Sequence, residues 1–189
     1  MRARMMQQLD ASGKYLATLV NDVLDISKME SGTYKLQMQE IDVHNLCTSL
    51  IKEFSPQVPK SVEFKLECSA SGGVDPLACN LYTDEQRLRF VLLSLIQNSF
   101  LYTHCGSVTL SYEAFIDKII FCVTDTGIGI PPELIDAVFN LDELEVDKGD
   151  AGLSLHIVKL TADLIHGKAW LDTSYMSGAR FYFEHPVNH

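Results

Sequence analysis

The residues best placed to do chemistry are Asp125-Thr126-Gly127-Ile128-Gly129-Ile130-Pro131, which directly follow an apolar run from Ile119 to Val123. Two glycines one residue apart permit a tight turn and a close backbone approach to a ligand. A carboxylate at the end of the preceding strand can accept a hydrogen bond from an amino group, such as the exocyclic amine of adenine. Alone, a turn of this kind is more often structural than functional, so its meaning depends on its company. The cysteines and histidines offer no rival site, because they form no C-x-x-C pair and lack metal-ligand spacing. Nor does any Ser/His/Asp arrangement emerge from the order of residues. The five cysteines, Cys47, Cys68, Cys79, Cys105 and Cys122, are odd in number and scattered. They read as reduced cytoplasmic thiols, most of them acting as small apolar residues in strands or on helices.

Around this turn the hydrophobic pattern predicts alternating strands and helices. Residues from about 5 to 30 read as one helix, with Leu9, Leu16 and Val23 recurring every seven residues and Leu19 and Ile26 on the neighbouring row. That stripe is coiled-coil-like, and an ordinary amphipathic core helix is the other reading. Gly32 closes the helix. The stripe needs a covering helix and none precedes it, so the chain is expected to begin inside a longer protein. Tyr34 to Ile41 alternates like a strand, and Asp42 caps a helix from Val43 to Phe54. Val62 to Cys68 and Asn80 to Tyr82 are strands. A long helix from Asp84 to Tyr102 buries Leu88, Val91, Leu92, Leu95, Ile96 and Ser99. Strands Ser107 to Phe115 and Lys118 to Thr124 then lead into the glycine turn. An acidic segment from Asn140 to Asp150 follows, then a helix to about His166, and strands Lys168 to Thr173 and Ala179 to His185. The expected architecture is α+β, a two-layer sandwich with helices on one face of a mostly antiparallel sheet, preceded by one coiled-coil-like helix.

Composition narrows the partners. A chain of 189 residues, 47% hydrophobic, can bury a core, and no apolar run reaches the roughly 18–20 residues that cross a bilayer. The start carries no signal-peptide pattern. A formal charge of −10 leaves nothing to neutralise nucleic-acid phosphates along a groove, so no nucleic-acid contact is expected.

Five segments, in order, resemble the catalytic region of sensor histidine kinases. Thr83-Asp84-Glu85-Gln86-Arg87-Leu88-Arg89-Phe90-Val91-Leu92-Leu93-Ser94-Leu95-Ile96-Gln97-Asn98-Ser99 resembles their N box, and Asp125 to Pro131 their first glycine box. Ala151-Gly152-Leu153-Ser154-Leu155-His156-Ile157-Val158-Lys159 resembles the second glycine box, and Gly178-Ala179-Arg180-Phe181-Tyr182-Phe183 the closing strand. Upstream, the segment from Leu19 to Gly32 resembles the second helix of the dimerisation and phosphotransfer domain. The resemblance implies residues 1–32 as the end of that domain and 33–189 as the catalytic ATP-binding domain, with the Bergerat fold. It implies ATP and Mg2+, with nucleotide contacts at Asn98, Tyr102, Asp125, Gly127, Gly129, Ile130, Gly152 and Leu153. Asp125 would take the adenine amine, and Asn98 the magnesium and phosphates. Gly152 and Leu153 would set a helix N-terminus beneath the phosphates. It further implies a homodimeric, cytoplasmic kinase region, a missing helix bearing the acceptor histidine, and a response-regulator receiver domain as partner.

Several positions depart from that pattern. On the N-box stripe at i, i+4 and i+7, the family's Asn, Asn and Lys or Arg are here Ser94, Asn98 and Leu101. Losing such a cation removes about 1.5–3 kcal/mol of charge-assisted contact. The second glycine box keeps only Gly152 of three glycines, with Asp150 and Ser154 in the other two places. Asp142, Glu143, Glu145, Asp147 and Asp150 are opposed only by Lys148; either this segment simply points into solvent, or its repulsion of phosphate is on the order of 1–2 kcal/mol. No phosphoacceptor is expected among His44, His104, His156, His166, His185 and His189, so no catalytic residue is assigned. Each reads as a surface or packing residue, with His185 and His189 at the tail.

Two function classes therefore stay open: an ATP-dependent histidine kinase domain, and a degenerate module that binds nucleotide weakly and acts as a conformational signalling part. An ATP-hydrolysing Bergerat protein is disfavoured, because the water-activating glutamate of those families falls on Ser94, which cannot act as a general base.

Overall fold

The computed structural model describes residues 20–140 and 150–187, and the chain divides into two compact units, Met1–Lys35 and Leu36–His189. In the first unit residues 20–30 form helix α1. It stops where Gly32 adopts φ 68°, with the Gly32 N–H donating to Met29 O at 3.1 Å and Thr33 N–H to Lys28 O at 2.9 Å. Only glycine enters that left-handed conformation without penalty, which makes it the helix terminator. Leu9, Leu16 and Leu19 of the expected stripe lie outside the described residues.

The second unit runs β1 (Met38–Asp42), α2 (Val43–Phe54), β2 (Val62–Ala70), β3 (Asn80–Asp84), α3 (Glu85–Tyr102), β4 (Gly106–Ala114) and β5 (Lys118–Asp125), then α4 (Asp150–Leu164), β6 (Lys168–Leu171) and β7 (Arg180–Pro186). Strands β1 and β3 form an antiparallel pair of their own. The other five are ordered β2-β4-β5-β7-β6, with only β2 and β4 parallel. This is the mostly antiparallel α+β arrangement expected.

Two strands are shorter than the alternation suggested. β1 starts at Met38 because its partner ends at Asp84, where the chain turns into α3. The preceding amide, Gln37 N–H, donates to the Asp84 Oδ2 at 2.8 Å instead of to a ladder. β6 ends at Leu171 because Asp172 Oδ1 takes the Ser174 N–H at 3.0 Å and its hydroxyl at 2.6 Å, closing a side-chain turn. Asp84 does double duty: its Oδ1 accepts from Arg87 N–H at 3.0 Å and caps α3.

Alternation assigns the two faces of the large sheet. Val108, Leu110, Ile119, Phe121, Val123, Phe181 and Phe183 are fully buried beneath the helices. Leu88, Val91, Leu92, Leu95 and Ile96 of α3 meet them, as its periodicity required. Each such side chain contributes roughly 1.5–3 kcal/mol on burial. Near β2, Phe54 stacks on Phe100 at 5.7 Å while Phe64 meets Phe100 edge-on at 5.1 Å. Arg89 pairs with Glu53, joining α3 to α2. No helix among the described residues is long and apolar enough to cross a membrane.

Most of the cysteines are apolar fillers as expected, Cys47, Cys79 and Cys122 being buried and Cys68 and Cys105 exposed. One expectation fails here. His185 is no tail residue but a core one, 1% exposed. It points inward because β7 alternates and position 185 shares the parity of Phe181 and Phe183. Its Nδ1–H donates to Pro186 O at 2.7 Å, and its Nε2 accepts from the Thr83 hydroxyl at 2.7 Å. Both nitrogens are thus committed in the neutral ring, and burial pushes the imidazole below its usual value of 6.5. An unfolded chain therefore binds a proton that the folded chain refuses. The stability present above pH 6.5 is lost progressively as pH falls through and below that value. The urea midpoint is expected to be lower at about pH 5.5 than at about pH 7.5, and His185→Gln should flatten that difference. An equally steep profile in the variant would remove His185 as its cause.

Candidate functional site

The glycine turn hangs from the end of β5, the central strand of the large sheet. Asp125 is the last residue of that strand and is 2% exposed. Its Oδ1 accepts from the Gly127 N–H at 2.9 Å and from the Ala179 N–H at 3.1 Å. The Asp125 N–H donates to Ala179 O at 2.9 Å, so one residue ties the turn to the start of β7. Neither bond uses Oδ2, which has no hydrogen bond among the described residues.

Glycines make this closeness possible. A Cβ on Gly127 would sit 2.3 Å from the Tyr102 carbonyl oxygen, at the C-terminus of α3. A Cβ on Gly178 would sit 2.1 Å from the Asp125 carbonyl oxygen, and Gly129 turns at φ 73° with a Cβ position 3.3 Å from Gly178 O. The Ile128 N–H donates to Tyr102 O at 3.2 Å, which fixes the turn to the N-box helix. Behind it Thr126 Oγ1 accepts from Ser107 N–H at 2.9 Å.

Of the expected nucleotide residues, Tyr102, Asp125, Gly127 and Gly129 are joined by these contacts. Asn98 lies one helical turn before Tyr102 on α3, half-buried, and Ile130 packs partly buried against the core. Gly152 and Leu153 lie in the first turn of α4, which packs against α3. Asp142, Glu143, Glu145, Asp147 and Lys148 fall outside the described residues. Ser94 is buried while Leu101 is 58% exposed, so the stripe of 94, 98 and 101 runs from the interior out to solvent.

Sequence reading missed Ala179 and Thr103. The Ala179 amide is a backbone donor that no side-chain pattern announces, although its position straight after Gly178 hinted at a close approach. Thr103 caps α3 beside Gly127, and its buried Oγ1, like Ser99 Oγ and Thr161 Oγ1, has no hydrogen-bond partner among the described residues. The orphaned Thr103 hydroxyl beside this narrow turn, with a second carboxylate oxygen of Asp125 unbonded among the described residues, suits a polar, amine-bearing ring. Residues 83–189 match the family model described as histidine kinase-, DNA gyrase B-, and HSP90-like ATPase.

The chain belongs to that ATPase family.

Within it, this ATPase domain is that of a sensor histidine kinase. It is 29% identical over 200 residues to the autoinducer 2 sensor kinase/phosphatase LuxQ of Vibrio vulnificus, covering 98% of this chain and 23% of that protein. Full-length ShkA in complex with AMPPNP superposes with a TM-score of 0.78 at 26% identity, over 97% of this chain and 38% of that one. Histidine kinase ThkA in complex with the response regulator TrrA shares the fold, with a TM-score of 0.65 at 21% identity over 93% of this chain and 49% of that one. The chain spans about a quarter of the length of the sensor kinases it first matches. An ATP-binding domain of this family therefore sits on the frame described.

Magnesium is a separate matter. Among the described residues no three His, Cys, Asp or Glu side chains group as a metal site. Asn98 offers one neutral oxygen, which suits a hard cation only if phosphates and water supply the rest of its octahedron. The donor set therefore fits a metal that arrives with the nucleotide.

Proposed function

We propose that this chain is the catalytic domain of a two-component sensor kinase, passing the γ-phosphoryl of ATP to a histidine on a dimerisation helix that is not among these 189 residues. The observation carrying this reading is the Asp125 carboxylate, held by two backbone amides through one oxygen, with the other oxygen unbonded among the described residues. Fixed in that way, Asp125 binds the adenine amine, while Gly127, Gly129, Tyr102 and Ile130 shape the ring's slot. Asn98 holds the metal–phosphate group, and Gly152 and Leu153 present the free N–H groups of α4 to the phosphates. Magnesium, which Asn98 would help to hold, would supply charge stabilisation to the phosphates. The protein's own part is positioning.

Residues 1–32 then belong to the dimerisation and phosphotransfer domain and 33–189 to the catalytic domain, within a homodimeric parent whose kinase region is cytoplasmic. A response-regulator receiver domain is the downstream partner, a reading supported by the ThkA–TrrA complex. The histidines present suit packing better than phosphotransfer: His44 bonds the Tyr112 hydroxyl, His156 the Phe139 carbonyl, and His185 is buried.

Leu101 favours a second reading, a degenerate module with weak nucleotide binding, because an exposed leucine stands where the family carries a cation. Calorimetric titration with ATP and magnesium separates the two. Saturable binding below millimolar supports the kinase, and its absence at millimolar ATP sinks it. Leu101→Lys buries nothing new and is expected to tighten binding by about 1 kcal/mol, roughly fivefold. Unchanged affinity would mean that position 101 does not face phosphate.

A further inference from the structure

At the far end of β4 from Asp125, three of the five cysteines converge on one buried tyrosine. Tyr112, 2% exposed, donates its hydroxyl to Pro76 O at 2.8 Å and lies 2.9 Å from His44 Nδ1. Burial pushes that hydroxyl's pKa up, and Cys68, by charge and hydrogen bond, and then Cys47 and Cys79, by charge, push it the same way. Cys68 is the register partner of Tyr112 on the neighbouring strand β2.

The geometry singles out one pair. Helix α2 runs antiparallel to β2: Phe54 meets Phe64 at 6.4 Å at one end, and His44 meets the Tyr112 level at the other. Measured from that Phe54–Phe64 contact, Cys47 lies about 10 Å back along the helix at 1.5 Å per residue. Cys68 lies about 13 Å along the strand from Phe64 at roughly 3.3 Å per residue. The two are therefore nearly level. Both point into the layer between helix and sheet, since Cys47 is fully buried and Cys68 has the parity of Phe64 and Leu66. Cys79 is held to the start of α2 by the Val43 N–H···O bond of 3.0 Å, not to β2.

We propose that Cys47 and Cys68 form a hydroperoxide-sensitive pair that closes to a disulfide joining α2 to β2. Cys68 is exposed and meets the oxidant first, whereas burial raises Cys47 to about 12 and keeps it a protonated thiol. The Cys68 thiolate attacks the peroxide, an S–O bond forms as the O–O bond breaks, and hydroxide leaves to become water. Cys47 sulfur then attacks Cys68 sulfur, the S–O bond breaks, and the departing hydroxide takes the Cys47 proton as water. Two thiols lose two electrons, and one peroxide becomes two waters.

Cys105 is an internal control. It is exposed too, but it precedes Gly106, which pairs with Val62, about 20 Å along β2 from Cys68. The test exposes the reduced 189-residue chain to hydrogen peroxide, blocks residual thiols under denaturing conditions, and maps peptides without reduction. A Cys47–Cys68 linked peptide is expected, with alkylation of both residues falling in parallel and recovering with dithiothreitol. In Cys68→Ser, a change at an exposed position, Cys47 should stay fully alkylatable. A Cys68–Cys79 link would overturn the assignment. So would Cys68 accumulating as sulfinic acid alongside Cys105 while Cys47 remains free.

Discussion

Replacing Gly178 with alanine is expected to lower both stability and nucleotide affinity. The new Cβ would lie 2.1 Å from the Asp125 carbonyl oxygen, 2.7 Å from its carbon and 2.9 Å from its Oδ1. None of these atoms can swing aside, because the Asp125 N–H is bonded to Ala179 O and Oδ1 is held by two amides. Gly178 also has φ 154°, a backbone conformation that a side chain strains. Overpacking of this kind costs about 1–3 kcal/mol, and backbone strain a further amount on the order of 1–3 kcal/mol. A combined loss of about 3 kcal/mol lowers the melting temperature by about 6–12 °C in a chain of this size. Relief must come from β7 drawing away from β5, which moves the carboxylate off the position proposed for the adenine contact. Calorimetric melting and an ATP titration of the variant check both halves. A melting temperature within 2 °C of the parent would mean that Gly178 has room the geometry denies.

How much of this was legible depends on where the information resides. Helix α3 was readable because Asp84 caps it and Leu88, Val91, Leu92, Leu95 and Ile96 recur with helical period, so local and tertiary preference agree. The large sheet's strands were readable for the same reason at period two. The early stop of β1 was not, since it depends on a distant carboxylate, Asp84, drawing the Gln37 amide out of the ladder. Nor was the burial of His185: a histidine near the end of a sequence carries no sign of the Thr83 hydroxyl that satisfies it, 102 positions upstream. At the site, Asp125, Gly127 and Gly129 announced themselves by residue type. Ala179 contributes only a backbone N–H and Thr103 only an unpartnered hydroxyl, and both become visible once the strands are paired. The three-thiol group has the same origin, because Cys47, Cys68 and Cys79 come together only when α2 lies across β2.

Asp125→Asn and Asp125→Ala should separate binding from folding. The asparagine carbonyl can take both hydrogen bonds now made by Oδ1, from Gly127 N–H at 2.9 Å and Ala179 N–H at 3.1 Å. Stability should therefore hold close to that of the parent. What changes is the second position, where an acceptor oxygen becomes an NH2 donor facing the amine of the bound ring. Loss of a charge-assisted hydrogen bond is worth about 1.5–3 kcal/mol, so ATP affinity should fall about 10- to 150-fold. Alanine removes the acceptor altogether and leaves two amides unsatisfied beneath the turn, each costing about 1–3 kcal/mol. Asp125→Ala should thus lose both affinity and several kcal/mol of stability, read as a drop in urea midpoint at unchanged slope. The two variants share the loss of binding but differ in stability, one unchanged and one lowered, only if one oxygen builds the site and the other reads the ligand. Should Asp125→Asn bind ATP as the parent does while melting normally, the free oxygen is not the adenine contact, and the nucleotide must be sought elsewhere on the sheet.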